Sequence, residues 1–220
     1  MRLAWLPPGR LRAGRVDNSG VLARLAHSVA GVPAIYDLIQ KVARIERCNA
    51  YCRLSVGQMV PGALVIDAGG GTGLARSIFP ADCRFVCLDT DPAKLKRFAA
   101  NRRLTGEAWL GDVTAMPFGD DTIDLVFTRA VSHHLPDRAF DLFMAESRRV
   151  LKPGGRLMFV DGFLNPPNRL SNLMWKYDPG TMARDASEIL RAITRHFTII
   201  SEQRVHLLHD VLLVTASPLG

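Results

Sequence analysis

The chain has 220 residues, 48% of them hydrophobic, and a formal net charge of +7. That length and apolar content fill one core of ordinary domain size, and no apolar stretch approaches the roughly 20 residues of a bilayer-crossing helix. The positive charge is mostly arginine spread along the chain, with one local concentration at Arg2, Arg10, Arg12 and Arg15, so it reads as compositional bias before it reads as a nucleic-acid or membrane patch.

Residues 1–18 carry Pro7-Pro8-Gly9 and those four arginines, the composition of a loosely held arm. A short helix is expected over about 21–29, stopped by Gly31 and Pro33, which sets 1–32 apart from a single domain over 33–220. A longer helix should run from Pro33 to Val56, because Ile35, Leu38, Ile39, Val42 and Ile45 recur at helical spacing. His27, Tyr36 and Tyr51 are the polar-tipped residues here and read as core or surface positions. Cys48/Cys52 and Cys83/Cys87 lack the spacing of a zinc knuckle, and no histidine pair completes a site. No metal is expected; buried thiols in a reducing compartment are, with a cytoplasmic location, because the apolar core of Met1 to Pro8 is too short for a secretory signal.

Ala63 to Ile66 is a short apolar run ending on Asp67, the pattern of a buried parallel strand. Four of the next six residues are glycine, and a helical stretch follows from Leu74. Such a turn after the first strand is where open α/β sheets bind nucleotides. The spacing Gly69, Gly71, Gly73 puts Leu74 where a dinucleotide fingerprint needs its third glycine. Asp67 is poorly placed for a pyrophosphate and well placed for an ammonium group. A second strand, Cys83 to Asp89, again ends on an acid, about twenty residues past the loop, where a carboxylate can accept from both ribose hydroxyls. Asp91-Pro92 supplies the cap and first turn of the next helix, which leaves Asp89 for a ligand. A third strand near Glu107 to Leu110 leads into Gly111-Asp112-Val113. The fourth, Ile123 to Phe127, opens into Thr128 and the loop through His133, His134 and Asp137. A helix over Phe140 to Leu151 then turns at Lys152 to Gly155 into a fifth strand, Arg156 to Asp161. After an irregular stretch, Phe163 to Arg184, come a helix over Ala186 to His196 and strands over Phe197 to Val205 and Leu207 to Ala216, a closing hairpin.

The residues from Val65 to Gly73 resemble the first motif of class I S-adenosylmethionine-dependent methyltransferases. Leu88 to Leu95, Gly111 to Val113 and Arg148 to Gly155 resemble later motifs, so the likeness covers about Gly62 to Asp161. It points to the small-molecule, type 11-like branch. The resemblance implies an α/β, Rossmann-like sheet of seven mostly parallel strands with a C-terminal antiparallel hairpin and helices on both faces. It implies S-adenosyl-L-methionine as cofactor, with Asp67 at its amino acid end and Gly69, Gly70, Gly71 and Gly73 in the loop around it. Asp89 with Thr90 would take the ribose, Asp112 and Val113 the adenine, and Thr128, at the head of the loop where acceptor meets methyl, would be a further cofactor-binding residue. By the same likeness 163–184 would be a lid over the acceptor, with Met174, Trp175, Tyr177 and Met182 as apolar lining or packing residues. Arg169, Lys176 and Arg184 would alternatively bind a carboxylate or phosphate of the substrate.

Methyl transfer from a sulfonium is an in-line displacement that disperses charge, so alignment and water exclusion matter most. A base is needed only if the acceptor holds a proton with a high pKa. His133 and His134 are the candidates, with Asp161 a weaker one; capping or packing under the loop is their structural alternative. The fourth-strand loop lacks the Asn/Asp-Pro-Pro-aromatic motif of enzymes that methylate base amines, and Asn165-Pro166-Pro167-Asn168 follows the wrong strand without an aromatic. The expectation is a monomer that methylates O or N of a small, partly apolar molecule, without nucleic acid. An RNA methyltransferase using the basic arm, a non-catalytic cofactor-binding protein and a nicotinamide-dependent oxidoreductase are the alternatives.

Overall fold

The structure is a computed structural model, and it describes residues 45–57, 59–168, 171–172, 175, 180, 182–206 and 210–220. The arm, the 21–29 helix, His27, Tyr36 and the first part of the expected 33–56 helix lie outside the described residues. So do Arg169, Met174, Lys176 and Tyr177.

Strands are β1 (Leu64–Ala68), β2 (Arg84–Asp89), β3 (Glu107–Leu110), β4 (Ile123–Arg129), β5 (Leu151–Gly162), β6 (Phe197–His206) and β7 (Asp210–Pro218). Helices are α1 (Ile45–Val56), α2 (Pro92–Ala100), α3 (Asp137–Val150) and α4 (Ala186–Thr194), with 3₁₀ turns at Leu74–Ile78 and Ser132–His134. One seven-stranded sheet has the order β3-β2-β1-β4-β5-β7-β6, in which only β7 runs against its neighbours. The expected class of sheet is therefore present, antiparallel hairpin included.

Alternation along the central strands sorts side chains onto two faces. Ile66, Ala68, Val126, Leu157, Phe159, Leu212 and Val214 pack with Phe140, Phe143 and Met144 of α3 and with Ile189 and Ile193 of α4. Val65, Leu125, Phe127, Met158 and Leu213 face the other way, onto Cys48, Cys52 and Val56 of α1 and onto Leu95 and Phe98 of α2. Tyr51 ties α1 to β6 by donating to Ser201 Oγ at 3.3 Å. All four thiols are buried and unpaired. Burial pushes Cys52 up to about 12 and raises Cys48, Cys83 and Cys87 as well.

Two elements differ from expectation. The helix after the glycine loop is a five-residue 3₁₀ turn, because Phe79 precedes Pro80 and is driven to an extended conformation (φ −97, ψ 150). The carbonyls stranded at its end are taken by the buried Arg76, whose guanidinium donates to Phe79 O and Pro80 O at 3.0 Å and to Thr105 O at 2.7 Å. The fifth strand begins earlier than expected, at Leu151. Its pairing with β4 jumps from Ile123↔Leu151 to Leu125↔Arg156, so Lys152 to Gly155 is an irregular stretch inside the strand.

Candidate functional site

The carboxyl ends of β1, β2 and β4 bring most of the expected residues to one edge of the sheet. Asp67 is the penultimate residue of β1 and only 2% exposed, and its Oδ2 has no hydrogen-bond partner among the described residues. Burial pushes its carboxyl up to about 7, against the opposing pull of the Arg129 guanidinium. A buried carboxylate oxygen left without a donor is a site that a ligand ammonium would satisfy.

The loop beyond it is stitched to β2. Gly69 and Gly70 N–H groups both donate to Leu88 O, at 2.8 and 3.1 Å, and Gly71 N–H donates to Asp89 Oδ2 at 2.9 Å. Gly70 is required by closeness: a Cβ there would stand 2.5 Å from Asp67 Oδ2 and 2.8 Å from Cys87 Sγ. Gly73 combines closeness with backbone shape, having φ +74 and the Phe98 ring in the space of a Cβ.

Asp91 caps α2 as expected, its Oδ1 accepting from Ala93 N at 2.8 Å and Lys94 N at 3.3 Å, with Pro92 in the first turn. Asp89, though, is not left wholly to a ligand. Its Oδ1 accepts Asp91 N–H at 2.8 Å while Oδ2 holds Gly71, which fixes the carboxylate plane and leaves its remaining lone pairs for further donors. Thr90 beside it is exposed. Asp112 is exposed after β3 and folds its Oδ1 onto Thr114 N and Oγ1, both at 2.8 Å, while Val113 is buried. Thr128 departs from this group. It pairs with Ala68, its side chain is on the α3 side of the sheet, and its buried hydroxyl has no partner among the described residues, so only its main chain reaches the edge.

On the β4–β5 side, Asp161 gathers the loop that follows β4. Its Oδ2 accepts Ser132 N–H and Oγ–H, both at 2.7 Å, and Val131 N–H at 3.2 Å; its Oδ1 is 2.7 Å from His133 Nδ1 and accepts its neighbour Gly162 N–H at 2.8 Å. Burial alone would raise the Asp161 carboxyl, but the hydrogen bonds and charge of His133, with the Ser132 donors, hold it below the usual carboxylate range. Asp161 is thus a carboxylate that orients a buried histidine. The sequence ranked it below both histidines; its signal is the acid that ends yet another strand. His134 is exposed, with its ring centroid 4.2 Å from that of His133.

The 163–184 stretch meets the same loop. Trp175 stands edge-on to His133, ring centroids 5.4 Å apart, and its indole lies where a Cβ on Gly162 would be. Met182 N–H donates to His133 O at 3.0 Å. Arg184 is a correction: it is buried and fully used inside the fold, donating to Ser132 O (2.8 Å), Leu135 O (2.7 Å) and Asp137 Oδ1 (2.6 Å), so it is no recognition group for a substrate anion. Asn165 to Asn168 is a turn, closed by Asn168 N–H to Asn165 O, whose Asn168 amide donates to the buried Asp210 at 3.0 Å.

An acid-tipped β1 and β2 around a glycine turn, on this sheet order, define a class I methyltransferase fold. Residues 66–159 match the family described as Methyltransferase domain, a family that uses S-adenosylmethionine. Among relatives, it is 32% identical over 136 residues to the phthiotriol/phenolphthiotriol dimycocerosates methyltransferase of Mycobacterium leprae (strain TN), covering 59% of this chain and 47% of that protein. It is 30% identical over 164 residues to enzyme 1 of the same name from Mycobacterium ulcerans (strain Agy99), covering 69% and 58%. The chain thus spans about half the length of the curated relatives it matches. Geranyl diphosphate C-methyltransferase from Streptomyces coelicolor A3(2), solved with S-adenosyl-L-homocysteine, shares the fold at a TM-score of 0.64 and 16% identity, over 79% of this chain and 76% of that one. Among the described residues, no helix is long and apolar enough to cross a membrane.

Proposed function

We propose that this protein methylates an oxygen or nitrogen of a small, partly apolar acceptor, a hydroxyl oxygen above all, with S-adenosylmethionine as donor. The cofactor, when bound, supplies an electrophilic methyl group on a positively charged sulfur. Asp67 would hold its ammonium, the Gly69 to Gly73 loop would enclose its amino acid end, Asp89 with Thr90 would take the ribose and Asp112 with Val113 the adenine. A buried carboxylate oxygen without a donor, next to a loop where a side chain at Gly70 would not fit, supports that reading.

The observation that carries the acceptor class is the contact between Asp161 and His133. A carbon acceptor needs no base to start the displacement, whereas a hydroxyl must lose a proton as its oxygen bonds to the methyl carbon. With Nδ1–H donated to Asp161, His133 takes that proton on its other ring nitrogen, and the carboxylate stabilises the imidazolium that results. Trp175 lends an apolar wall beside the ring. The phthiotriol names of the relatives are consistent with a hydroxyl on an apolar molecule.

The test is a methyl-transfer screen of alcohols, phenols, amines and alkenes on the whole chain, with His133→Ala and His133→Gln alongside. Transfer to a hydroxyl that drops about 10²–10⁴-fold in both variants, with S-adenosylhomocysteine still bound, is the expected result. Transfer to alkene carbon only, or full activity without His133, overturns it.

A further inference from the structure

Arg129 ends β4, one residue beyond the Ala68↔Thr128 pair that closes the β1–β4 ladder. Its place in the alternation, after Leu125 and Phe127, puts it on the α1 face, the face on which Asp67 follows Val65. The two charges therefore project from neighbouring strand ends onto the same side of the sheet. Arg129 is half-buried, and its one hydrogen bond among the described residues runs from Nη1 to Oδ1 of the buried Asn49 at 2.9 Å. Asn49 thereby aims the guanidinium from α1 without neutralising it. The Arg129 guanidinium pulls the Asp67 carboxyl downward, yet no ion pair joins the two.

A guanidinium and a carboxylate held near each other but apart form a neutral receptor for a neutral zwitterion. The amino acid end of the proposed cofactor carries an ammonium and a carboxylate on one carbon. We infer that Arg129 binds the carboxylate of that amino acid end while Asp67 binds its ammonium, so that the pair selects the α-amino acid head as a unit. The inference rests on the cofactor reading above and goes beyond it by assigning a second, oppositely charged residue. A planar fork with four N–H donors not used by Asn49 suits a carboxylate better than any other side chain.

Three ligands separate the roles by calorimetric titration of the whole chain. S-adenosylhomocysteine has both charged groups, its decarboxylated analogue keeps only the ammonium, and 5′-methylthioadenosine has neither. Arg129→Met should weaken S-adenosylhomocysteine roughly tenfold or more. It should leave methylthioadenosine unchanged, which also shows that the variant is folded, and should not weaken the decarboxylated analogue. Arg129→Lys, keeping the charge without the fork, should fall between. Equal losses for all three ligands, or no loss for S-adenosylhomocysteine, would overturn the assignment. An unchanged protein that binds none of them overturns the cofactor reading itself, and this assignment with it.

Discussion

Asp161 Oδ1 stands 2.7 Å from His133 Nδ1, and the same carboxylate holds three backbone N–H groups and the Ser132 hydroxyl. One residue at the end of β5 therefore fixes both the path of the loop after β4 and the orientation of its histidine. Asp161→Asn keeps the volume and loses the charge. Its amide must present N–H toward one of two sets of donors, so the His133 ring loses its orientation. Turnover is expected to fall about 10²-fold or more. S-adenosylhomocysteine affinity should stay within about twofold, because Asp161 is not among the residues of the cofactor cradle. A variant with normal turnover would show that the histidine contact serves only the loop.

Asp67 gives a pH signature of known sign. Its carboxyl titrates at about 7 in the ligand-free fold, mainly through burial. Bound ammonium favours the ionised form, so binding releases a proton at lower pH and affinity for S-adenosylhomocysteine should rise from pH 6 to pH 8, then level off. The ligand-free fold responds oppositely. A carboxyl raised above its unfolded value of about 3.9 contributes stability that is full below that value and is lost as pH climbs through 7. Asp67→Asn should flatten both curves while weakening binding. Titrations at three pH values, with melting curves of the ligand-free protein, check this; an affinity independent of pH counts against the assignment.

Two glycines isolate the cost of close approach. Gly154 has φ +83 and nothing within 4 Å of a Cβ, whereas Gly73 has φ +74 with the Phe98 ring in that space. Gly154→Ala should cost about 1–2 kcal/mol for the left-handed backbone alone. Gly73→Ala should cost about 1–3 kcal/mol more, from overpacking against α2. Urea denaturation of the two variants measures the difference, and equal costs would mean that Phe98 moves aside freely.

The glycine loop, the acids at strand ends and the apolar strand runs were legible because each is set by neighbours in sequence. Continuous apolar runs put Asp67 and Asp89 at the carboxyl ends of their strands, and Asp91-Pro92 marked the start of α2 as expected. What was not legible depends on contacts across the fold. Arg76 and Arg184 look like surface charge in a basic chain, yet each is buried under carbonyls left over by a short turn or loop. Pairing of Asp161 with His133 spans 28 residues and two elements, so only the sheet order reveals it. Arg129 was one arginine among many until the strand register set it two residues beyond Phe127, the partner of Asp67.

Arg184 provides the last test, because two of its contacts can be removed separately. Its partner Asp137 has a 94% exposed side chain, so that ion pair is screened by water and worth no more than about 1 kcal/mol. The carbonyls of Ser132 and Leu135 are different, since both lie under the buried guanidinium. Arg184→Met removes the guanidinium that lies over the Phe140 ring and leaves Leu135 O without its donor, at a cost on the order of 1–3 kcal/mol, while Ser132 O keeps Leu135 N–H at 3.1 Å. Asp137→Ala should therefore lower stability slightly, and Arg184→Met should lower it several-fold more. Because the 132–135 loop carries His133, the second variant should also lose turnover at a temperature where it remains folded, with S-adenosylhomocysteine affinity unchanged. Denaturation curves and single-turnover rates on both variants check the order; equal losses would place the importance of Arg184 in its exposed ion pair.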